Sequence, residues 1–95
     1  MALQCIRIKM ISGGRSHHEH IAEIETTDDQ TKRTVRYSRA QMVAFVEAKG
    51  VAYVRDARGD VAYLGVRVSF AGTKYVQTHA DGIWNDNLLA LPRYV

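Results

Sequence analysis

Residues 38–50 read SRAQMVAFVEAKG, and this stretch decides the fold. Ser38 is a good helix N-cap, and Gln41 completes a capping box with it. Tyr37 and Met42 fall where a hydrophobic staple would pair them. Met42, Phe45, Val46 and Lys49 recur at three-and-four spacing, with Val43 beside them. Gly50 stands where a left-handed C-cap belongs. The stretch predicts one amphipathic helix over Ser38–Lys49, about three turns long, lying across one face of a sheet.

Strand patterns flank it on both sides. Residues 3–12 alternate, with Ile6, Ile8 and Met10 on one face and Cys5, Arg7 and Lys9 on the other. After the break Ser12–Ser16, a second strand is expected over His20–Thr26, Ala22 and Ile24 inward, Glu23 and Glu25 outward. Asp28-Asp29-Gln30 reads as a turn, and Arg33–Tyr37 as a third strand. Beyond the helix, Val51–Arg55 is a strand, and Asp56–Asp60 a hairpin turn with Gly59 free to take positive φ. Val61–Phe70 alternates regularly: Ala62, Leu64, Val66, Val68 and Phe70 against Tyr63, Gly65, Arg67 and Ser69. Ala71-Gly72-Thr73 turns it into Lys74–Thr78, followed by an Asp81-Gly82 turn. The order is β-β-β-α-β-β-β. Hairpin-length connections imply antiparallel pairing. The expected fold is α+β: a small, bent antiparallel sheet of about six strands with one helix packed across it.

The segment after Asp81-Gly82 holds the only tryptophan, Trp84, then Asn85-Asp86-Asn87, an apolar cluster and Pro92, the only proline. Trp84 and Leu88 are expected to pack against Met42 and Val46, with an N-cap from Asp86 or Asn87.

Composition bounds the class. Ninety-five residues, 46% apolar and 24% charged, suit one ordered domain spanning residues 1–95. Thirteen Lys and Arg against ten Asp and Glu give +3, too small an excess for a dedicated DNA binder but compatible with an anionic ligand. Cys5 is the only cysteine, which excludes an intrachain disulfide and a Cys-rich zinc site; its expected place is buried in a strand. Arg7 and Lys9 interrupt the amino end as a signal peptide, and no apolar run approaches a membrane span, so a cytoplasmic location is expected.

Several pieces together resemble a known family. They are Gly13-Gly14, His20-Ile21, Ser38-Arg39 with Gln41-Met42-Val43, Gly50-Val51-Ala52-Tyr53-Val54, and Lys74 through Pro92. In these the chain resembles the small bacterial and phage proteins grouped as domain of unknown function 3892. The resemblance spans nearly the whole chain and implies a single domain, with no activity, cofactor or catalytic residue attached.

Four constellations are candidate sites. His17-His18-Glu19-His20 offers imidazoles; on an extended backbone His18 and His20 point the same way and suit a transition metal. They fall short of the three or four ligands a zinc site needs, and a polar loop with exposed histidines is the plainer account. Gly13, Gly14 and Arg15 could offer backbone N–H groups and a guanidinium to an anion, though no Gly-Lys-Ser/Thr follows as in a P-loop, and a hairpin loop is the plainer account. Tyr53, Arg55, Tyr63, Arg67 and Tyr75 fall on outward registers, where rings stack on bases and guanidiniums take phosphate. The same residues also suit an ordinary solvent face. Asp81, Trp84, Asn85, Asp86 and Asn87 resemble a pocket rim, but turn, cap and core anchor explain their spacing. Arg58-Gly59-Asp60 is a turn.

No triad, carboxylate pair or cofactor fingerprint stands out, and no cofactor is expected. The reading is a non-enzymatic module that binds or sequesters an anionic small ligand, a nucleotide or related signalling molecule. The alternative is a protein–protein adaptor, phage-encoded and acting on a host protein. Weak nucleic-acid binding comes third. A homodimer is expected, because one short helix leaves much of the sheet uncovered.

Overall fold

A computed structural model describes residues 2–11 and 18–94. One helix packs on a mixed seven-stranded sheet, so the fold is α+β. The strands are β1 (Ala2–Met10), β2 (Ile21–Asp28), β3 (Thr34–Ser38), β4 (Val51–Arg55), β5 (Val61–Val68), β6 (Lys74–Ala80) and β7 (Ile83–Asn85). Their order across the sheet is β3-β2-β1-β4-β5-β6-β7. The expectation of about six strands missed β7. The expectation of a wholly antiparallel sheet fails at one seam, because β4 pairs with β1 in parallel. The reason is topological: the helix carries the chain from the outer strand β3 back across the sheet to β1.

Helix α1 (Arg39–Glu47) starts as the sequence dictates. The Ser38 hydroxyl accepts from the Gln41 N–H, and the Gln41 side chain accepts from the Ser38 N–H. Its end differs from expectation. Lys49, not Gly50, takes the left-handed conformation, at φ 72°. The Lys49 N–H donates to Val46 O and the Gly50 N–H to Phe45 O, the paired bonds of a Schellman cap. Gly50 is needed for another reason: a Cβ there would stand 2.6 Å from the Phe45 carbonyl oxygen and ring.

Met42 and Val43 enter the core with Leu3, Cys5, Ile8, Ile21, Ile24, Val54, Leu64, Val76 and Leu88. The helix touches β2 and β3 as well as β5 and β6. In a flat sheet β3 and β6 would lie about 24 Å apart, twice the width of a helix. The sheet is therefore curled around α1, and its helix-free face is convex.

β1 departs from simple alternation. Cys5 pairs with Thr26 and Arg7 with Glu25, so Ile6 is the extra residue of a bulge. Leu3, Cys5 and Ile8 thus share the buried face, and Ile6 does not join Ile8 there as expected. The same bulge aligns Arg7 with Glu25. Glu25, expected outward, is on the helix-free face but its side chain is only 4% exposed. β5 also outruns the core: Ala62 and Leu64 are buried, whereas Val68 and Phe70 are exposed.

Asp81 and Gly82 both have positive φ, the signature of a type I′ hairpin. That turn creates β7 and puts Trp84 directly opposite His79. Trp84 therefore lies on the helix-free face, 40% exposed, not against Met42 and Val46. Leu88 is fully buried in the core. No helix follows Asn85. Its Oδ1 accepts from the Asn87 N–H and the Thr78 hydroxyl, while Thr78 Oγ1 accepts from the Leu88 N–H. Asn85, rather than Asp86 or Asn87, thus organises this corner.

Candidate aromatic and arginine surface

The helix-free face carries two clusters. On β1–β3, Arg7 donates through Nε and Nη2 to Glu25 Oε1 at 2.8 and 2.6 Å, and Arg36 Nε donates to Oε2 at 3.0 Å. The hydrogen bond from Arg7, then that from Arg36, holds the Glu25 carboxyl below its ordinary range despite its burial. The carboxy-terminal segment closes this cluster. The Ile8 N–H donates to Pro92 O and the Tyr94 N–H to Ile8 O. Both guanidiniums lie over the Tyr94 ring, Arg36 at 4.4 Å and Arg7 at 5.6 Å from its centroid. The Tyr94 hydroxyl donates to Glu23, and burial together with that bond pushes it up to about 12.

On β4–β7 the strand registers set four rings in one row. Tyr53 pairs with Tyr63, Tyr63 with His79, and His79 with Trp84. Tyr53 and Tyr63 are 6.4 Å apart between centroids, and His79 meets Trp84 edge-on at 5.3 Å. Gly65 makes this possible, because a Cβ there would come within 2.9 Å of the Trp84 ring and 3.1 Å of His79. Arg67 lies over Trp84 at 4.8 Å and donates to Gln77 Oε1; Gln77 in turn donates to Asn85 O. Arg55 lies over Tyr53 at 5.8 Å. Tyr75 faces Arg67 across the strands.

The alternation placed Tyr53, Arg55, Tyr63, Arg67 and Tyr75 on one face, and the registers put them there. Tyr53 differs in exposure. It is buried, and its hydroxyl donates to both Asp29 carboxylate oxygens at 2.8 and 2.9 Å. Burial first, then that bond, raises its hydroxyl. The reachable rings are Tyr63, 49% exposed, Trp84, and half-buried His79. The sequence reading left His79 out of this surface and set Trp84 in the core, because it missed β7. The signal was present: a two-residue turn at Asp81-Gly82 demands a returning strand, and pairing then sets Trp84 beside His79.

Two depressions flank the row. A cleft of about 240 Å³ lies between Asp29, Val51, Tyr53, Arg55, Val61 and Tyr63. A larger one of about 700 Å³ opens beside Tyr63 and His79, rimmed by Asp56, Arg58, Asp60 and Asp81. Three carboxylates make that second rim unfavourable for an anion.

Gly13, Gly14, Arg15 and His17 lie outside the described residues. His18 and His20 sit in a 3₁₀ turn, not on an extended strand, so the same-side alternation expected of them does not hold. Among the described residues no group of three or more His, Cys, Asp or Glu is placed to hold a metal ion. Burial pushes the Cys5 thiol up to about 12. Among the described residues no helix is long and apolar enough to cross a membrane.

The family model described as protein of unknown function, DUF3892, matches residues 4–92. No curated protein and no solved structure matches the chain.

Proposed function

The chain belongs to the domain of unknown function 3892 family; from the geometry of its helix-free face we propose that it is a non-enzymatic binding module for an anionic ligand with an aromatic ring, of the nucleotide class. The observation that carries this reading is the ring row Tyr63–His79–Trp84 with an arginine at either end. A base stacks on the exposed rings, and the Arg55 or Arg67 guanidinium takes the phosphate. The cleft between Arg55 and Tyr63 brings one cation and one ring together, its one carboxylate, Asp29, being engaged by the Tyr53 hydroxyl. A thermal-shift screen against nucleotides tests this. Ligand at a hundred times its dissociation constant adds about 2.7 kcal/mol of stability. No stabilisation by any nucleotide or phosphate compound would remove the reading.

A second reading, a protein–protein adaptor, has its own support. Phe70 stands fully exposed on the turn between β5 and β6, with Val68 exposed beside it. The bonds from the Ser69 N–H to Thr73 O and from the Gly72 N–H to Ser69 O hold that turn. A hydrogen-bonded turn presenting a bare aromatic ring suits insertion into a protein pocket or a second copy of this chain. Phe70→Ser would then abolish capture of a host protein or self-association in light scattering. An unchanged monomer that retains no protein before or after the substitution would remove it.

A further inference from the structure

Resting on the nucleotide-class reading above, we propose that the ligand is a single-stranded nucleic acid, laid across β5, β6 and β7 with successive bases on Tyr63 and Trp84. The row carries this. Tyr63, His79 and Trp84 occupy facing positions on three neighbouring strands. The Trp84 ring reaches back across β6 to Gly65 on β5, two residues along the strand from Tyr63, so the two exposed rings lie about 7 Å apart and offer two stacking surfaces.

The cations extend the same conclusion. Arg55 pairs with Val61, on one side of the row, and Arg67 lies on β5 on the other side. Val61 and Arg67 stand six residue steps apart on β5, about 20 Å between their backbone positions, with the Arg67 guanidinium reaching back over Trp84. Phosphates that reach both guanidiniums belong to different nucleotides. The carboxylates of Asp56, Asp60 and Asp81 repel a phosphate chain from the large cavity and direct it toward Arg67 and Tyr75. The convex face leaves room for a strand to pass over, which a closed mononucleotide pocket would not.

The site reads bases loosely. Gln77, the polar side chain beside the rings, is engaged at both ends, by Arg67 and by Asn85 O. Recognition through ring faces and phosphates is sequence-tolerant, and it requires unpaired bases.

The test uses the whole chain and thymidine oligonucleotides of increasing length, from the mononucleotide upward. Trp84, the only tryptophan, reports through its emission, and anisotropy of a labelled oligonucleotide reports independently. Affinity should rise roughly tenfold with each added base until about two are engaged. With two phosphates neutralised, a tenfold rise in salt should weaken binding roughly 25-fold. Arg67→Gln and Tyr63→Ala should each lose about tenfold, with melting curves showing that both variants fold. If mononucleotides bind as tightly as the longest strand, the nucleotide reading stands and the strand proposal falls. If a duplex competes equally with the single strand, the strand proposal also falls. If neither mononucleotide nor oligonucleotide binds, both fall together.

Discussion

The two halves of the convex face use the same chemistry and finish it differently. On β1–β3 two arginines share one carboxylate, and the chain's own Tyr94 supplies the ring beneath them. On β4–β7 Arg67 covers Trp84 and Arg55 covers Tyr53, but Tyr63 and much of Trp84 stay open to solvent. One half is closed by a segment of this polypeptide. Among the described residues, no segment covers the rings and guanidiniums of the other in this way. Tyr94 shows what these groups accept: an aromatic ring against a guanidinium, with its polar end hydrogen-bonded. The closed half should therefore govern stability and the open half binding.

The largest expected effect lies beneath both halves. Leu88 is fully buried where the carboxy-terminal segment crosses the core. Leu88→Ala should cost about 2–5 kcal/mol, read as a fall in urea midpoint. A cost near zero would mean that the segment is not docked, and the closed half would lose its anchor.

Next is Glu25. Removing it leaves Arg7 and Arg36 without their shared acceptor. Glu25→Ala should cost about 1–3 kcal/mol, while leaving oligonucleotide affinity unchanged. Lost affinity with intact stability would reverse the assignment of the halves.

Acid should act through the same group. The folded state holds the Glu25 carboxyl below its ordinary value, so the unfolded chain binds that proton more readily. Its contribution is present above the unfolded value of about 4.3 and lost as pH falls through the lower folded value. Urea midpoints should drop across that acid window, and Glu25→Gln should flatten the drop. An identical acid slope in the variant would assign acid sensitivity to other groups.

The smallest effect on stability belongs to the open half. Tyr63→Ser removes a half-exposed ring in contact with Tyr53 and should cost about 1 kcal/mol of stability. A larger loss would make Tyr63 a structural element and weaken the contrast.

Much of this contrast was legible in the sequence, and its gaps have physical causes. Ser38 and Gln41 announced the helix start because a capping box is local. Alternation put Tyr63, Arg67, Tyr75, Tyr53 and Arg55 on one face, because a regular strand fixes sides with period two. The bulge at Ile6 was hidden, since its neighbours still alternate apolar and polar while the register slips by one. That slip pairs Arg7 with Glu25 and builds the closed half. Gly50 drew the cap assignment by residue type, yet the left-handed strain fell on Lys49 and the glycine answers a close approach to Phe45. The burial of Tyr53 depends on Asp29, far away in sequence. The cover supplied by Tyr94 depends on pairing between the two ends of the chain.

The most direct test is a nitrogen–proton correlation spectrum of the labelled chain, recorded as a short single-stranded oligonucleotide is added. Progressive shifts are expected at Tyr63, Arg67, His79 and Trp84, including the indole N–H, with Arg7, Glu25, Arg36 and Tyr94 unmoved. Shifts confined to Arg7, Arg36 and Tyr94, with the indole signal stationary, would contradict this expectation.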